Sequence, residues 1–72
     1  MDAKDAALIA KGYFEETKNT RYFLFDAPEV RRLNGQWKVI CEIRELFEES
    51  TKKFEITVDN QDGIILDVKK LD

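Results

Sequence analysis

Apolar and polar residues alternate over a long stretch from Gln36 to Phe47, QWKVICEIRELF. The period is two, so Trp37, Val39, Cys41 and Ile43 fall on one side of a strand and Lys38, Glu42 and Arg44 on the other. A second alternating run sets Phe54, Ile56 and Val58 against Glu55, Thr57 and Asp59. It ends in the turn-forming Asp59-Asn60-Gln61-Asp62-Gly63, after which Ile64, Leu66 and Val68 oppose Ile65, Asp67 and Lys69. A symmetric turn pairs Val58 with Ile64, Ile56 with Leu66 and Phe54 with Val68, which predicts that all six share one face. Trp37 is expected to be largely buried and central to the core on that face.

The period changes towards the N-terminus. From Asp2 to about Lys18, Ala3, Ala6, Ala7, Ala10, Tyr13, Phe14 and Thr17 line up as one stripe of an amphipathic helix, with Leu8 nearly opposite. Asp2 or Asp5 sits where the helix dipole favours an anion. The alanines let the helix backbone lie close to a sheet, and Tyr13 with Phe14 supplies bulk at its far end. Arg21 to Phe25 is aromatic and strand-like. Two readings compete for residues 26–33: a short helix opened by Asp26 and Glu29, or a strand that bulges at Pro28 and resumes. Asn34-Gly35 is the preferred two-residue hairpin turn, and with the strand reading it places Arg32 opposite Trp37 and Val30 opposite Val39. The pattern predicts an α+β fold: one N-terminal helix packed on a three- to four-stranded antiparallel β-meander, with residues 1–72 as a single domain.

Composition narrows the function classes. Twelve Lys and Arg against fifteen Asp and Glu give a net charge of −3, with no basic block longer than two residues. That disfavours nucleic acid, whose phosphates need clustered cations. One cysteine and no histidine remove an internal disulfide and the usual zinc sets, so no metal or cofactor is expected. The lone thiol fits a reducing, cytoplasmic setting. No run is apolar enough for a membrane span, and the first residues lack the pattern of a signal peptide. At 72 residues a single core is only marginally sufficient, which favours a partner.

Gly35-Gln36-Trp37-Lys38-Val39, Glu42-Ile43-Arg44-Glu45, Phe54-Glu55-Ile56-Thr57-Val58-Asp59 and Asp62-Gly63-Ile64-Ile65 together resemble small domains of the PepSY type and gas-vesicle accessory proteins of the O type. The likeness spans about half the chain. It implies a helix on an antiparallel meander, a reduced cystatin-like arrangement, and the PepSY-type resemblance implies inhibitory or regulatory contacts with other proteins. The last strand, Asp67-Val68-Lys69-Lys70-Leu71-Asp72, departs from the Arg- and Tyr-rich last strand of the O-type proteins.

Few residues point to chemistry. Cys41 lies mid-strand on the apolar side, with no histidine to activate it, and reads as a core thiol. Glu45 falls on the parity of Trp37, Val39, Cys41 and Ile43. It either turns out to solvent at the fraying strand end or forms, with Tyr13, a small-ligand or acid-base site between helix and sheet. Asp59, Asn60 and Asp62 suggest part of a calcium loop, but lysines occupy the position of its closing glutamate, so a hairpin turn is favoured. Arg21, Tyr22, Phe23 and Phe25 interleave a cation with aromatics, which in an acidic chain reads as a core strand. On the outward parity, Ile40, Leu46 and Ile65 with Lys38 and Arg44 make a candidate interaction patch. The function expected is a non-catalytic interaction or adaptor module that contacts a protein partner or a second copy of itself as a homodimer.

Overall fold

The computed structural model describes residues 1–17, 23–45 and 47–71. Helix α1 spans Ala3–Thr17, and strands β1 (Phe23–Leu33), β2 (Gln36–Glu45), β3 (Lys52–Asp59) and β4 (Ile65–Lys70) follow. The strands form one antiparallel sheet in the order β1-β2-β3-β4. The fold is therefore α+β, a helix packed on a four-stranded meander.

A reciprocal cap starts α1. The Asp5 backbone N–H donates to Asp2 Oδ1 at 2.9 Å, and the Asp2 N–H donates to Asp5 Oδ2 at 3.3 Å. This satisfies helix-end donors that have no partner within the helix, and the Asp5 backbone bond holds the Asp2 carboxyl below its ordinary range. Ala6, Ala10 and Phe14 are fully buried against the sheet, while Leu8 on the opposite side is exposed. The alanines bring the backbone close. Phe14 then fills the space between Phe25 and Phe54, with ring centroids at 6.2 and 5.1 Å.

Residues 26–33 form part of a strand. Val30 pairs with Val39 and Arg32 with Trp37, as the hairpin reading requires, and the register shifts between Asp26 and Glu29. Ala27 and Pro28 together oppose Cys41. This bulge lets a residue without an N–H sit in an edge strand. Asn34 and Gly35, with φ of 52° and 76°, form the expected type I′ turn.

The pairing of β3 with β4 differs from the symmetric-turn prediction. Asp59 Oδ1 accepts the Gln61 N–H at 2.8 Å, the Asp59 N–H donates to the Ile64 carbonyl at 2.9 Å, and the Gly63 N–H donates to the Asp59 carbonyl at 3.0 Å. These bonds close a loop that is not centred on Gln61, so Val58 meets Ile65 and not Ile64. A bulge at Leu66 follows, and Ile56 meets Val68. Of the three residues after the turn predicted to face the helix, Val68 does so, whereas Ile64 and Leu66 are exposed.

Val39, Cys41, Ile43, Ile56 and Val58 complete the buried core under α1. Trp37 is only half-buried, a correction to its expected place at the centre. It stands at the turn end of the sheet, under the Arg32 guanidinium at 6.0 Å, and its indole N–H donates to Asn60 Oδ1 at 2.7 Å. Its polar edge has a partner only at that margin.

Candidate functional site

The sheet face away from α1 is built from residues the strand register places opposite one another. Lys38 lies between Arg31 and Thr57, Ile40 between Glu29 and Glu55, Glu42 between Asp26 and Lys53, and Arg44 opposite Leu24. Thr57 is only 3% exposed although it points away from the core. Lys38 folds over it, donating from Nζ to Thr57 Oγ1 at 2.9 Å. The Lys38 stem thus covers Thr57 on this face, and Ile40 is half-buried. Ile65 does not belong to this face. It pairs with buried Val58 and packs against the core, because the asymmetric turn reverses the predicted parity. Leu46, the remaining apolar member of the expected patch, lies outside the described residues.

Exposed apolar side chains are spread over the surface, Leu8, Leu33, Ile64 and Leu66 among them, and two, Leu24 and Phe47, lie near the end of β2. Leu24, Asp26, Glu42, Arg44 and Thr51, with Phe25 and Ile43, line a shallow open depression of about 160 Å³. Small-molecule pockets commonly occupy about 300–1,000 Å³ and enclose most of their ligand, so this one is smaller and more open than such a site. Leu24 at its rim is exposed. Just past Glu45, Phe47 is 96% exposed with φ 71°. The Glu48 N–H donates to the Glu45 carbonyl at 3.0 Å, closing a turn in which Phe47 takes the third position, where glycine is the usual residue. A bulky side chain in the left-handed region is strained. Sequence alternation missed Phe47 because the strand's parity carries through Glu45 and makes the next odd position look inward. The signal available was an aromatic set between glutamates, Glu45 and Glu48, where a turn interrupts the strand.

Glu45 is half-buried at the end of β2, paired with Phe23. Tyr13 is half-buried too, its ring edge-on to Phe14 at 5.3 Å and 81°, which makes it part of the aromatic cluster at the end of α1. Cys41 is fully buried, its Sγ 3.7 Å from the Val39 carbonyl, and burial pushes its thiol up to about 12. A thiol held protonated in this way is a poor nucleophile. Asp59 is engaged in its own turn, as described above. Among the described residues no cluster of acidic or cysteine side chains is arranged to hold a metal ion, and no helix is long and apolar enough to cross a membrane.

Compared with protein-family models, curated proteins and solved structures, the chain matches none.

Proposed function

We propose that this protein is a small non-catalytic interaction or adaptor module, and that Phe47 anchors its contact with a protein partner. The exposed, left-handed Phe47 carries the reading. A fully exposed aromatic contributes nothing to the core, and its backbone conformation costs about 1–2 kcal/mol that glycine would not incur. Aromatic anchors surrounded by a polar rim are the usual energetic centres of protein contacts. Leu24 and the charged rim of Asp26, Glu42 and Arg44 supply such surroundings at the same end of the sheet. The PepSY-type resemblance points the same way, towards regulation by contact, and the free Cys41 fits a cytoplasmic setting.

Affinity capture from the native host with wild type, Phe47→Gly and a control, Leu8→Ser, tests this. A protein retained by wild type and by the control, but lost with Phe47→Gly and recovered with Phe47→Trp, is the expected result. Equal retention by wild type and Phe47→Gly removes Phe47 as the anchor.

A further inference from the structure

The two edges of the sheet are unlike. At the β1 edge, the bulge at Ala27 and Pro28 removes a donor in mid-strand and breaks the row of backbone groups, a common protection against pairing. At the β4 edge the row is regular from Asp67 onward. The Leu71 N–H donates to the Lys53 carbonyl at 3.0 Å, and Lys69 and Asp67 pair with Glu55 and Thr57 at every second position. Backbone groups alternate in direction along an antiparallel strand. Those of Leu71, Lys69 and Asp67 therefore point to β3, while those of Val68 and Lys70 point out of the sheet. Helix α1 lies over β1, β2 and β3, leaving Val68 half-buried beside the open edge.

We propose that β4 pairs antiparallel with β4 of a second copy of this chain about a two-fold axis at Val68, joining two sheets into one of eight strands. This deepens the contact reading by naming one partner, on a surface separate from Phe47. An axis at Asp67 or Lys69, as a non-hydrogen-bonded pair, sets two aspartates or two lysines directly opposite each other, which like charge disfavours. An axis at Lys70 sets two lysines against each other. The axis at Val68 sets Val68 against Val68 on the helix side, and on the other face Asp67 against Lys69 of the second copy, twice by symmetry. An isologous contact has to be self-complementary in this way, and opposite charges directly across a strand pair favour the register.

Charge exchange tests the register without touching the core. Sedimentation equilibrium of the wild type should show a concentration-dependent dimer. Asp67→Lys and Lys69→Asp should each weaken self-association at least about tenfold by opposing like charges, whereas an equimolar mixture of the two variants should associate again, as should the double exchange. Circular dichroism confirms that each variant is folded. A wild type that remains monomeric at millimolar concentration overturns the proposal. So does a dimer indifferent to both single exchanges, or one abolished by Phe47→Gly. The capture result with Phe47→Gly is read independently, so the edge pairing and the Phe47 anchor fail separately.

Discussion

Trp37 and Asn60 join the two turns at one end of the sheet. The indole Nε1 donates to Asn60 Oδ1 at 2.7 Å, and the Asn60 backbone N–H donates to the Gly35 carbonyl at 3.1 Å. One asparagine thus fastens the loop after β3 to the β1-β2 hairpin. Losing a part-buried neutral bond costs about 1 kcal/mol, more where a donor is left without a partner. Asn60→Ala and Trp37→Phe should each lower the urea midpoint. The double variant should fall short of the sum by about 1 kcal/mol, and strict additivity would show that the bond contributes nothing.

Cys41 makes stability sensitive to alkali. Its folded thiol lies at about 12 against an ordinary value of 9.0, because burial disfavours the thiolate. The folded value is the raised one, so this contribution is complete below about pH 9 and is lost progressively as pH rises towards 12. Unfolding titrations from pH 8 upward should show a steeper alkaline loss for wild type than for Cys41→Ala. Parallel curves would contradict the buried assignment, as would rapid labelling of the native thiol.

Gly63 is constrained twice. Its φ is +69°, and a Cβ there would approach Met1 Cε to 3.0 Å and Ile9 Cδ1 to 3.1 Å. Gly63→Ala should destabilise by about 1–2 kcal/mol from the backbone alone. Gly12, with nothing within 4 Å of a Cβ, should gain about 0.5–1 kcal/mol from the same change in mid-helix. Thermal melts of the two variants should move in opposite directions.

Phe47→Gly should stabilise the isolated protein by relieving the left-handed backbone, against the small entropic cost of a glycine in the unfolded chain. Phe47→Ala keeps the strain and should not. A glycine variant less stable than the alanine variant in chemical denaturation would mean that position 47 carries no left-handed strain, and a wild type more stable than the alanine variant would mean that the Phe47 side chain is held by contacts in the isolated protein.

Much of this arrangement is legible in the chain because burial on one face imposes a period. Val39, Cys41, Ile43, Ile56 and Val58 lie where alternation puts them, and Ala6, Ala10 and Phe14 where the helical stripe does. The Asn34-Gly35 turn also specifies its own register, since both positions need positive φ. Parity is not carried across the loop from Asp59 to Gly63. There the outcome depends on the side-chain bond from Asp59 to the Gln61 N–H and on the bulge at Leu66, so Ile64 and Ile65 exchange roles. Trp37 misleads for another reason: a large apolar residue on the inner parity reads as central, but its N–H needs a polar partner, and Asn60 at the margin supplies one. The placement of Phe47 follows from a turn that hydropathy does not register.

The strand order has a kinetic consequence. Each strand pairs with its neighbour in sequence, so the sheet can zip outward from its tight turns while closing only short loops. Phe14 is different: its partners Phe25 and Phe54 lie on strands separated by β2. The aromatic seal of the core therefore closes only after both hairpins stand side by side. Burial of the inner face of the meander, from Val39 to Val58, is thereby tied to the completed order of β1, β2 and β3.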